Sequence, residues 1–253
     1  IENEEDFTTD RLVAMDILHQ PERVIIEYNG MWLVSNFEKM QLPTGWGVEQ
    51  QITCVDGSTF QMYMANMKSI FMDMIKNTDM VIFNRCKKED PLPTYRRGIK
   101  VANQRAEVIF EDEEGELGDI FQDEMPFDMN APVIEILPED YGIWFVDAMD
   151  HPENYEGKTV KFKARVMKPR GMGSKFFVPG RTAMTCCADD TTFLGYVCKS
   201  AYAPKLTPGE WVEVTAKVGI EKRNEYQGEE GIVLDAEHVE QCDPLEDEMV
   251  YFN

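Results

Sequence analysis

The stretch Arg181-Thr-Ala-Met-Thr-Cys-Cys-Ala-Asp-Asp190 concentrates more chemical possibility than any other part of the chain. Two adjacent thiols followed by two carboxylates admit three readings. As thiolates, Cys186 and Cys187 are soft ligands that suit zinc or monovalent copper, with Cys198, His151, Cys242 or His238 to complete the set and Asp189 behind a ligand. As a redox pair they could form a vicinal disulfide or a sensing thiol, activated where the fold brings Arg181 close. As plain structure, one sulfur packs as a small apolar group and the other sits at a turn, with Asp189 or Asp190 capping local N–H groups. Successive side chains of a strand point to opposite faces, so one metal takes both sulfurs only where the chain turns. Arg181, Thr185, Cys186, Cys187, Asp189 and Asp190 are the expected binding residues. Cys186, Cys187, Cys198 and His151 are the expected metal ligands.

No Ser-His-Asp set, H-E-x-x-H, G-x-x-x-x-G-K or G-x-G-x-x-G occurs, so binding is the leading expectation over catalysis. Six cysteines at irregular spacing, without a C-x-x-C, support neither a zinc ribbon nor a thioredoxin-type pair. Asp and Glu number 47 against 25 Lys and Arg, a formal charge of −22. Such a balance disfavours phosphate backbones and anionic membrane surfaces. Tyr155, Phe176, Phe177, Tyr196, Tyr202 and Trp211, interleaved with Lys161, Lys163, Arg165, Lys168 and Arg170, imitate an oligonucleotide-binding surface. The overall charge argues against that reading, and no nucleic-acid partner is expected.

The elements that must position these residues follow from periodicity and turn chemistry. At 253 residues the chain has room for two domains. Thr9 or Asp10 can cap a helix running to His19, stopped by Pro21. Arg23 to Tyr28 and Met31 to Phe37 flank Asn29-Gly30 and predict a hairpin. A loop at Leu42 to Gly47 carries Trp46. Gln51 to Val55 and Thr59 to Met64 around Asp56-Gly57 predict a second hairpin. Met67, Ile70, Phe71, Met74 and Ile75 share one helical face, with core packing the favoured role for their methionines. Met80 to Asn84 returns as a strand and Asp90 to Pro93 breaks the pattern. Between Glu111 and Asp128 stand nine acids without a Lys or Arg, the signature of a solvated linker. The expected division is a domain of residues 1–129 and another of residues 130–253.

In the second half, Pro138-Glu139-Asp140 starts a helix carrying Tyr141, Phe145 and Met149. Val160, Phe162, Ala164 and Val166 alternate with Lys161, Lys163 and Arg165, a half-buried strand with a basic outer face. Strands are expected at Lys175 to Val178, Arg181 to Thr185, Thr191 to Cys198, Trp211 to Val218 and Gly231 to Glu240. The fold class is therefore α+β: an N-terminal α+β domain, then a mainly β, OB-like barrel with a preceding helix.

Pro152-x-x-Tyr155-x-Gly157-Lys158, the Arg181 to Asp189 stretch with its Met-Thr-Cys-Cys-Ala-Asp core, and Gly209-x-Trp211-Val212-x-Val214 carry a resemblance to the soluble domain of YcgQ-type bacterial membrane proteins. The likeness runs from Val133 to Phe252. It implies a module attached to transmembrane helices and often encoded beside a predicted permease. This sequence contains no run approaching the roughly 18 to 20 apolar residues that span a bilayer. Its start at Ile1 leaves room for a signal peptide or membrane segment ahead of it. The expected function is a non-enzymatic accessory or binding domain, tethered to a bacterial membrane and working with a permease. The alternative, of another class, is a zinc- or copper-binding or thiol-redox protein centred on Cys186 and Cys187.

Overall fold

The computed structural model describes residues 1–118, 125–185 and 191–250. The chain divides into two compact units, one of Ile1–Leu92 and Ala102–Ile120, the other of Pro93–Val101 and Phe121–Asn253. Among the described residues are five α-helices and eleven strands. The α+β class and the barrel predicted from sequence are both present.

In the first unit α1 (Thr9–His19) is capped by Thr8, whose hydroxyl accepts the Arg11 N–H at 3.4 Å. It ends where Gln20 takes a left-handed φ of 45°. The hairpin expected at Asn29-Gly30 does not form. Neither residue adopts the positive φ that such a turn needs. Instead the Asn29 side chain accepts the Met31 N–H and its carbonyl accepts the Trp32 N–H, both at 2.9 Å, and the chain enters the short helix α2 (Val34–Glu38).

The second hairpin is also overturned. β1 (Ile52–Asp56) is followed at once by α3 (Phe60–Ile75), not by a strand, because its partner β2 (Met80–Asn84) runs parallel and needs a crossover. Asp56 turns the chain by accepting the Ser58 N–H at 3.0 Å. Phe71 and Ile75 of the expected helical face are buried, joined by Phe60 and Met72. Asn103 then satisfies the end of α3, donating to the Ile75 and Thr78 carbonyls at 2.9 and 2.8 Å. Two elements missed in the sequence follow: α4 (Leu92–Ala102), most of which belongs to the second unit, and β3 (Glu107–Phe110). The pattern break read at Pro93 is in fact a proline in the first turn of a helix, where its missing N–H costs nothing. β1, β2 and β3 form a parallel sheet in that order.

The second unit opens with β4 (Ile134–Glu135) and α5 (Tyr141–Asp150), then β5 (Thr159–Met167), whose buried positions alternate as expected. The strands anticipated on either side of Pro179-Gly180 are one continuous strand, β6 (Phe176–Met184), whereas Thr191 to Cys198 divides into β7 (Thr191–Gly195) and β8 (Val197–Lys199). Gly180 faces Gly195 across β6 and β7, and a Cβ on Gly180 would stand 2.3 Å from the Leu194 carbonyl oxygen. Only glycine allows strands to approach so closely. β9 (Trp211–Lys222), β10 (Glu230–Gln241) and β11 (Met249–Val250) complete the unit.

The barrel closes through β5, β6, β8, β10 and β9. All neighbouring pairs are antiparallel except β8 with β10. That order and direction are OB-like. α5 supplies its aromatic filling: the Trp144 ring lies 4.8 Å from Phe162, and Phe145 stacks on Tyr196 at 4.8 Å. Buried tyrosine hydroxyls stay bonded, Tyr141 to the Leu194 carbonyl at 3.0 Å and Tyr196 to the Phe145 carbonyl.

Candidate functional site

Arg181 lies on β6 and is 2% exposed. Its guanidinium donates to the Pro138 carbonyl and, at 3.0 Å each, to the Asp247 and Met249 carbonyls. It also lies over the Tyr141 ring, 5.6 Å from the centroid, and burial holds its pKa below the ordinary value. Its Nη1 and Nη2 are committed to these three main-chain carbonyls, a clamp joining β6, the entry to α5 and the last strand, while its buried Nε has no partner among the described residues. Thr185, four residues further on, is buried, and Cys186, Cys187, Asp189 and Asp190 lie outside the described residues.

Of the expected metal ligands, Cys198 sits in the barrel core, fully buried, and burial raises its thiol pKa. A thiol held protonated is a poor ligand. His151 follows α5, with Nδ1 3.8 Å from a Glu153 carboxylate oxygen. It borders a cavity of about 30 Å³ shared with Arg96, Asp147 and Asp150, room for one water. Asp150 in that cluster accepts from Arg96, and Lys100 stands 3.5 Å away. Among the described residues no three His, Cys, Asp or Glu side chains gather closely enough to hold an ion.

The basic face of the barrel is matched locally. Lys161 pairs with Glu213 at 3.0 Å, Arg165 donates to the Gly209 carbonyl at 3.1 Å, and Lys168 donates to the Ala203 and Leu206 carbonyls at 2.6 Å. Arg223 pairs with Glu225 at 3.0 Å while covering the Phe176 ring at 4.4 Å. Tyr155, Phe177, Tyr196 and Trp211 are buried, so those four rings belong to the interior.

A different site lies at the carboxyl end of the parallel sheet. Asp56 ends β1; one of its oxygens accepts from the Ser58 N–H and hydroxyl, the other from Arg85. These bonds, that from Ser58 first, hold its carboxyl below the usual pKa. The Gly57 N–H donates to the Asn84 carbonyl at 2.8 Å, and a Cβ at Gly57 would meet the Cys86 sulfur at 2.7 Å and the Asn84 oxygen at 3.0 Å. Arg85, directly after β2, takes a left-handed φ of 54° although it is no glycine. The Asn84 Oδ1 is buried and has no donor among the described residues. Cys86 is buried too, its thiol pushed up to about 11 by burial, and its N–H ties to the Glu111 carbonyl beyond β3 at 2.9 Å.

Strained backbone, a glycine whose added Cβ would crowd its neighbours and an orphaned buried acceptor therefore coincide where three parallel strands end. Open α/β sheets bind ligands at that end, and backbone outliers gather at functional sites. The site has hydrogen-bonding groups and an Arg85 guanidinium ion-paired with Asp56, but its thiol is protonated at neutral pH and so is no nucleophile. The sequence signal was present in two β-rich runs, Gln51 to Val55 and Met80 to Asn84, separated by a helical pattern. Reading Asp56-Gly57 as a hairpin concealed it.

The model of a family described as the DUF1980 C-terminal domain matches residues 116–252. The chain belongs to that family. Within the DUF1980 match lie α5, the whole barrel and Arg181, whereas the sheet with Asp56 and Asn84 precedes it. No curated protein matches the chain. A mitochondrial single-stranded DNA binding protein from S. cerevisiae aligns at 10% identity over 35% of this chain and 97% of that one, with a TM-score of 0.22. A putative aspartyl-tRNA synthetase from Leishmania major Friedlin aligns at 18% identity over 46% of this chain and 21% of its own, with a TM-score of 0.25. The aspartyl tRNA synthetase from Entamoeba histolytica gives 15%, 47%, 27% and 0.25 in the same order. At such TM-scores nothing about this chain's ligand follows from them.

Proposed function

We propose that this DUF1980 protein is a non-catalytic binding protein whose first unit holds a small polar solute at the carboxyl end of its parallel sheet. The observation that carries the reading is the buried, unpaired Asn84 oxygen beside left-handed Arg85. An unpaired buried acceptor costs roughly 1–3 kcal/mol, and a ligand donor would remove that cost. The barrel, in this reading, is the accessory module of a YcgQ-type system, tethered to a bacterial membrane and docking on a permease. The resemblance around Met184 to Asp189 supports that role. No helix among the described residues is long and apolar enough to cross a membrane, so the reading places the tether outside those helices. A zinc- or copper-holding version would rest on Cys186 and Cys187 without the sealed thiol of Cys198.

A thermal-shift panel of phosphorylated, carboxylated and nucleobase-bearing solutes tests the solute site. At a hundred times its Kd, a true ligand stabilises the wild type by about 2.7 kcal/mol. Asn84→Ala should fold normally and lose that shift. A ligand that stabilises both proteins equally would refute the site.

A further inference from the structure

Residues 23–28, Arg-Val-Ile-Ile-Glu-Tyr, have the composition of a strand and none of its bonds. Between Pro21 and Tyr28 no main-chain group bonds to another main-chain group among the described residues, and the segment belongs to no sheet. Every residue from Glu22 to Glu27 is exposed, Ile25 most of all at 90% against 42% for Val24 and 37% for Ile26. Tyr28 packs edge-on against Phe7 and Trp32, with ring centroids 5.8 and 5.5 Å away. The segment also borders a cavity of about 790 Å³ lined by Leu12, Met15 and Trp46. A run of unpaired main-chain N–H and C=O groups with strand composition, around an isoleucine that is 90% exposed, is a template for another strand.

The charges on the segment identify its partner. Laid antiparallel on a second copy with Ile25 at the two-fold axis, the segment sets Arg23 opposite Glu27 and Val24 opposite Ile26, each pair occurring twice. Opposite charges and β-branched residues directly across a ladder are both stabilising. Moving the axis to Ile26 sets Val24 opposite Tyr28 and Ile25 opposite Glu27, and both favourable pairings disappear, so one register is selected. In the single chain Arg23 reaches Glu49 at 3.3 Å, but those side chains are 73% and 80% exposed. So exposed a pair is worth little and is readily exchanged.

We infer that residues 23–28 form an antiparallel ladder with a second copy of this chain, an isologous contact centred on Ile25. Sedimentation velocity of the full chain over a concentration series, at about 0.15 M salt to screen its net charge, should show a monomer–dimer equilibrium. Main-chain N–H groups of an antiparallel ladder face the partner at alternate residues, so one of Ile25→Pro and Ile26→Pro removes a ladder bond and should leave monomer with an unchanged circular dichroism spectrum. Arg23→Glu and Glu27→Arg should each weaken the dimer about tenfold, and the double exchange should restore it. A protein that stays monomeric throughout would overturn the inference. So would a dimer indifferent to both Ile25→Pro and Ile26→Pro, or a double exchange that restores nothing.

Discussion

The barrel of the second unit and the sheet of the first differ in closure, and both keep buried polar atoms without a partner among the described residues. In the barrel, closure through β5, β6, β8, β10 and β9 leaves no edge among those five strands; the Tyr141 and Tyr196 hydroxyls and the Arg181 Nη atoms find main-chain partners, while the buried Trp144 Nε1 and Arg181 Nε find none among the described residues. In the first unit β1 and β3 are open edges, and one end of the sheet keeps an orphaned acceptor, a left-handed arginine and a glycine that cannot be replaced freely. The proposed solute site at Asp56 and Asn84 therefore stands on the left-handed Arg85, the crowded Gly57 and the Asn84 Oδ1 taken together, not on an orphaned atom alone.

The comparison is most exposed to a change at Arg181. Arg181→Met leaves the Pro138, Asp247 and Met249 carbonyls without their donor and should cost about 3 kcal/mol or more by urea unfolding. A variant with an unmoved midpoint that had lost a bound solute would return the site to the barrel.

A smaller effect is expected at the sheet end. Gly57→Ala should cost roughly 1–3 kcal/mol, because its Cβ collides with the Cys86 sulfur and the Asn84 oxygen. Adding Cys86→Ala removes the nearer contact and should recover part of the loss. Equal costs in both backgrounds would show that the sulfur does not set the fit.

The smallest effect is a pH dependence at Asp56. Its folded-state pKa is lowered, so the stabilisation is fully present above the unfolded value of about 3.9 and is lost as pH falls through the folded value. The difference in urea midpoint between wild type and Asp56→Asn should therefore shrink as the pH is lowered from roughly 5 towards 2. A difference constant across that range would mean that the bonds from Ser58 and Arg85 do not favour the carboxylate.

Local pattern was sufficient where burial follows a simple period. The alternation from Val160 to Val166, the helix starting after Pro138-Glu139-Asp140 and the α+β class with an OB-like barrel were all legible in the residues, because one face of each element must leave water. Partner choice was not legible. Asp56-Gly57 and Asn29-Gly30 are turn dipeptides whether the chain returns as a strand or enters a helix, and only the parallel pairing of β1 with β2 decides the first case. Likewise Arg181 reads as a binding residue by type. Its three carbonyl partners are 43 to 68 residues away in sequence, and tertiary structure alone brings them together.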